Sequence, residues 1–194
     1  MRSGSFEWSL PYNMHPRLAE LSEHLAQQRR VLLELASAVP DDRWQVRPAE
    51  DRWSVSEILE HLHRVERSAS GVVAKRIAKA RAEGHPLETE TSSVLGTLDQ
   101  FQVSQLNRKL VAPELVAPTE NPDRETAERQ LAESRAVLVA AMEQGDGLAL
   151  GTIRHTHLRF GELDLYQWIL FIAEHERRHA AQLREVVQQL ALVS

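Results

Sequence analysis

From Asp164 to Leu190 the chain reads DLYQWILFIAEHERRHAAQLREVVQQL, and the period of this stretch decides the fold. Leu165, Trp168, Ile172, His175, His179, Leu183, Val186 and Leu190 recur in steps of three and four, the mark of one buried face on a long amphipathic helix. Asp164 is placed to cap it. Two histidines thus stand where aliphatic side chains are expected. Residues four apart lie one turn above each other, with about 5 to 6 Å between their Cβ atoms, so His175 and His179 can converge on one cation. Closed structural metal sites normally take four ligands, and open catalytic ones three plus water, so a further ligand must come from elsewhere in the chain.

Upstream lies the connection GDGLALGTIRHTHLRFGE, residues 145–162, with His155 and His157. Both could approach the same site, but histidines in a loop are more often solvated. Before it, Asn121 and Pro122 offer a cap and a first-turn proline. Ala127, Leu131, Ser134, Leu138 and Ala141 then mark a helix ending near Gly145. Between Gly84 and Pro122 the pattern is poor. A segment this long is expected to pack over one end of the bundle, with a helical turn or two around Leu98 to Leu110, and to act as a lid or pocket wall.

Ser54 and Glu57 have capping-box spacing, so a helix should begin at Ser54. Its inward line is Val55, Ile58, His61 or Leu62, Val65, Ala69, Val72 and Arg76, which puts a third histidine, His61, among aliphatic neighbours. His63 is about 200° round the helix from His61 and cannot share its site. Residues 40–53 carry two prolines and two tryptophans and read as a loop pinned to the core by Trp44 and Trp53. Leu18, Leu21, Leu25, Gln28, Leu32, Leu35 and Val39 mark a first helix ending before Pro40, with His24 beside the stripe in a surface or boundary position. Residues 1–15 read as an extended lead-in, with Trp8 and Tyr12 packing on the body. The sum is an all-α, single-domain protein over residues 1–194, a four-helix bundle with one long crossover between helices two and three.

Composition bounds the function. The 194 residues carry 42% apolar and 26% charged residues, ordinary for a globular domain. A net charge of −5, with both signs mixed along the chain, argues against a nucleic-acid partner. The absence of cysteine removes disulfides, thiolate ligands and a cysteine nucleophile, so any metal must be held by His, Asp or Glu. No apolar run of signal-peptide or membrane-span length is present, and the expectation is a cytoplasmic protein with no membrane partner.

For any one core histidine the plain reading is a neutral imidazole satisfied by hydrogen bonds. Three buried imidazoles without partners would cost on the order of 1 to 3 kcal/mol each, whereas one divalent cation takes a nitrogen of each ring, which makes His61 the candidate third ligand. Glu57, one turn before His61, and Gln182, three residues after His179, are close enough to orient a ligand or move a proton. Their plainer roles are helix capping and an interhelical hydrogen bond. Arg177 and Arg178 could meet an anionic substrate, with a solvated face or salt bridge as the simpler expectation.

RWSVSEILEHL (residues 52–62) and FGELDLYQWILFIAEHERRHAAQL (residues 160–183) resemble the two signature segments of the DinB-like superfamily. The segment LVAPELVAP (residues 110–118) and the Arg–Val–Leu pattern of the third helix resemble the subset described as metal-dependent hydrolases of the YfiT type. The resemblance covers most of the chain. It implies a four-helix bundle with a divalent metal, zinc or nickel, on His61, His175 and His179, and a homodimer. It further implies a transferase acting with a low-molecular-weight thiol such as bacillithiol or mycothiol, or a hydrolase. The residue after His157, often proline in such relatives, is Leu158 here. Against the enzyme stand a non-catalytic bundle stapled by its metal and a metal-free cluster of core histidines.

Overall fold

The computed structural model describes residues 14–106 and 111–192. Trp8 and Tyr12 of the expected lead-in, and residues 107–110 of the expected turns after Leu98, lie outside that range. Four helices carry the chain: α1 (Pro16–Ser37), α2 (Val55–Ala82), α3 (Arg124–Gly145) and α4 (Leu165–Leu192). α2 packs along α3 and α1 along α4, while α2 and α4 also meet. The architecture is the expected four-helix bundle.

Local chemistry explains the helix starts. Ser54 Oγ accepts the Glu57 amide and the Glu57 carboxylate accepts the Ser54 amide, the reciprocal box predicted for α2. Asp164 accepts the Gln167 amide at 2.9 Å while Gln167 Oε1 accepts the Asp164 amide at 3.1 Å, so α4 is capped in the same way. The cap of α3 departs from expectation. Asp123, not Asn121, accepts the Thr126 amide, and Asn121 takes a left-handed backbone (φ 49°) that turns the chain into the helix.

The direction of the helices accounts for the long crossover. Ser56 at the start of α2 donates to the carbonyl of Pro122, just before α3, and Leu87 after α2 bridges Leu148 after α3. α2 and α3 are therefore parallel, and the connection must return the length of a helix, about 33 Å for α3 at 1.5 Å per residue. Its first half buries Val94, Leu98 and Val103 at the lower end, with a short 3-10 turn at Asp99–Phe101. Its second half runs up beside α2, and the amides of Thr119, Glu120 and Asn121 all donate to the Glu60 carboxylate.

Residues 154–164 are not an irregular connection but an antiparallel hairpin, β1 (Arg154–His157) and β2 (Gly161–Asp164). Its three-residue turn closes on Gly161 at φ 75°, a left-handed position that favours glycine, and Leu158 projects into solvent at its tip. The inward line of α2 also shifts after Leu62, to Glu66, Ala69, Val73, Ile77 and Ala80, in place of Val72 and Arg76. The core is split accordingly. One apolar cluster includes Leu18, Val73 and Ile169, another includes Leu32, Ile58 and Leu183, and a charged layer of Arg29, Glu66, Arg135 and Glu176 crosses the bundle between them. Arg29 takes the inward place that periodicity assigns to Gln28.

Candidate metal centre

His61 comes from α2, and His175 and His179 from α4, which pass each other in opposite directions. One ring nitrogen of each lies within 4.8 Å of the other two. The ring centroids are 4.9 Å apart for His61 and His179, 5.1 Å for His61 and His175, and 4.5 Å for His175 and His179. His61 and His179 are 4% and 6% exposed, and His175 is the more open of the three.

The hydrogen bonds decide which nitrogens are free. His61 Nδ1 donates to the Val116 carbonyl at 2.7 Å, and His179 Nδ1 donates to Gln182 Oε1 at 2.8 Å. Each Nε2 is left as a bare lone pair turned into the cluster. The Nε2 atoms of His179 and His175 face each other at 3.2 Å. That matches the edge of about 3.3 Å between two nitrogens bound tetrahedrally at 2.0 to 2.1 Å. With His179 Nε2 a bare lone pair, this contact is met either by a proton on His175 Nε2 or by a cation held between the two.

Electrostatics favours the neutral rings that a cation needs. Burial pushes the His179 pKa down to about 3, helped by His61. Burial, then His179, His61 and Arg178, holds His175 well below the ordinary value, and burial lowers His61 as well. Three neutral imidazoles suit a borderline divalent cation. The residues present fit a metal ion, and the cluster can hold one.

Around the triad, the Trp53 ring lies 4.9 Å from His61 and stacks on His179 at 6.2 Å, and Phe171 lies 5.3 Å from His175. Glu57 is turned away from the rings, both carboxylate oxygens engaged by Arg47 and one also by the Ser54 amide. Arg177 is on the solvated face, paired with Glu174 at 3.4 Å, but Arg178 is buried. His155 and His157 are outside the triad and are half-buried on β1 rather than solvated. His155 stacks on Trp168, and His157 is enclosed by Phe160, Trp168 and Phe171. His24 pairs with Glu174 at 2.9 Å and His63 with the Gln130 carbonyl at 2.7 Å. Sequence reasoning missed the Val116 carbonyl, the Glu60 anchor and Trp53 as a wall of the site. Only RWSVSEILEHL held a signal for the last two, because Trp53 precedes the helix that carries His61 and Glu60 immediately precedes His61 there.

A parallel-paired four-helix bundle with three convergent imidazoles on its second and fourth helices defines the class. The model of the DinB superfamily matches residues 24–183, and the chain belongs to that superfamily. It is similar to the "Uncharacterized protein YuaE" of Bacillus subtilis (strain 168), 27% identical over 154 residues that span 77% of this chain and 86% of that protein. Among solved structures it resembles TT2238, a four-helix bundle protein, with a TM-score of 0.52 and 17% identity over 90% of this chain and 98% of that one. Among the described residues, no helix is long and apolar enough to cross a membrane.

Proposed function

We propose that this chain is a metal-dependent enzyme in which His61, His175 and His179 hold one zinc or nickel ion. The reaction class we propose is transfer of a low-molecular-weight thiol to an electrophile, or hydrolysis of a small substrate. The observation that carries this reading is the preorganised donor set, in which Val116 and Gln182 take the outer protons of His61 and His179 and leave Nε2 free. When bound, a cation held by three neutral imidazoles keeps its full charge and lowers the pKa of a coordinated water or thiol.

The chain's own residues supply the rest. Gln182 is a positioning residue for His179, and the crossover carbonyl of Val116 is one for His61. Trp53 and Phe171 line two sides of the triad with apolar ring surface, which excludes water and strengthens the field felt by a substrate. Glu57, tied to Arg47 and Ser54, sets where α2 begins and so the height at which His61 meets α4.

Elemental analysis of protein purified without an affinity tag tests the reading, followed by thiol-consumption and ester-hydrolysis assays of the loaded protein. About one zinc or nickel per chain is expected. His175→Ala or His179→Ala should abolish stoichiometric metal, and His61→Ala should weaken it by about 10-fold or more, with activity falling in step. Retained stoichiometry in these variants sinks the assignment. A full metal complement with no turnover of thiols with electrophiles or of esters leaves a structural metal in its place.

A further inference from the structure

A second polar site lies on the same helix, well away from the triad. A pocket of about 320 Å³ opens between α2 and β1, lined by Ser68, Gly71, Val72, Lys75, Arg76 and His155. Val72 is eleven residues beyond His61, about 16 Å along the helix axis, so this space is separate from the metal centre.

Its charge is one-sided. From Arg67 to Ala82, α2 carries Arg67, Lys75, Arg76, Lys79 and Arg81 and not one acidic residue, in a chain whose net charge is −5. Among the described residues, neither Lys75 nor Arg76 has a carboxylate partner. The neighbour of Arg76 is instead a ring, with Nη2 donating to His155 Nδ1 at 2.7 Å. Because a guanidinium only donates, His155 is held as the neutral tautomer with its proton on Nε2. That ring is fixed from behind, stacked on Trp168 at 5.6 Å, whose Nε1 donates to the His155 carbonyl at 3.1 Å.

Gly71 adds an independent observation. It lies in the interior of α2, where glycine weakens a helix, yet a Cβ built there would meet nothing within 4 Å. No packing calls for the missing side chain, and the exposed position faces open space beside the pocket.

We infer that this pocket is a binding site for an anionic oxygen group, a phosphate or a carboxylate carried by a small ligand, held by Arg76 and Lys75 with His155 and Ser68 as neutral donors. A guanidinium and an ammonium both donate charge-assisted hydrogen bonds to such a group, the stronger kind of polar contact.

The test is a titration of the full chain with inorganic phosphate, and separately with succinate, at constant ionic strength, following the His155 ring resonance by NMR. A saturable shift with one of them supports the site and tells which oxygen group it takes. In Lys75→Gln/Arg76→Gln the affinity should fall at least 10-fold, with the His157 resonance unchanged as a control for the hairpin. Gly71→Ala keeps the fold and places a methyl beside the pocket, so it should weaken the same titration by about threefold or more while leaving thermal stability equal or higher. No saturation by either anion up to about 50 mM, or an unaltered titration in the double variant, overturns the proposal.

Discussion

His157 is enclosed by the rings of Phe160, Trp168 and Phe171, and burial together with the Arg159 charge lowers its pKa to about 4. The unfolded chain protonates this ring near the ordinary value of about 6.5, the folded one only near 4, so the unfolded state binds more protons between those limits. The stabilisation is complete above about pH 6.5 and is lost progressively as the pH falls towards 4. His157→Phe keeps an aromatic ring in the same enclosure and removes the titration. Its melting temperature should vary less between pH 6.5 and 4 than that of the parent, and equal slopes in the two proteins would exclude the assignment. The alternation that turns His155 and His157 inward was illegible in the sequence, because RHTH is four polar residues long and carries no apolar period. The ring enclosure exists only once α4 presents Trp168 and Phe171 to the hairpin.

α2 is the element that the site depends on most. Its start is set by Ser54, and Ser54→Ala should lower stability by about 1 kcal/mol in a chemical denaturation series. In its second turn, Glu60 is 2% exposed and accepts three crossover amides and the Arg64 guanidinium. These bonds outweigh the burial that opposes its charge and hold its pKa below the usual carboxylate range. Glu60→Ala leaves those amides without their acceptor and should destabilise the protein by about 1 to 3 kcal/mol. It should also weaken metal affinity, since the strap that Glu60 anchors carries the Val116 carbonyl to His61. Unchanged affinity in a folded Glu60→Ala protein would detach the crossover from the site. The capping box and the line Val55, Ile58, His61 were legible because both signals are local. The shift from Val72 and Arg76 to Val73 and Ile77 was not, because it depends on the side from which α1 and α3 approach.

Across the whole molecule, the charged layer ties all four helices. Arg29 reaches Glu66 at 2.7 Å and also Glu176, Arg135 binds Glu66 at 2.6 Å and Glu176 at 3.0 Å, and Ser134 donates to Glu66. Burial opposes the charge on Glu66, and Arg29 and Arg135 outweigh it to hold the pKa low. Arg135→Ala would leave two buried carboxylates sharing Arg29, a loss of about 3 to 5 kcal/mol measurable by urea denaturation. Glu176 is next to His175, so this layer also fixes the rotation of α4 that turns His175 and His179 towards His61. Most of the periodic apolar positions, the four helices, two of the caps and the (i, i+4) pair His175 and His179 were determined by the sequence alone, because each depends on residues within a turn or two of one another. The parallel run of α2 and α3, the hairpin, the Arg29 to Glu176 tie across 147 residues and the His61 to Val116 bond across 55 were decided only by the tertiary structure. No local signal encodes such pairs, since each forms only when packing of the apolar faces has brought distant segments together and left their buried polar groups no water to bond.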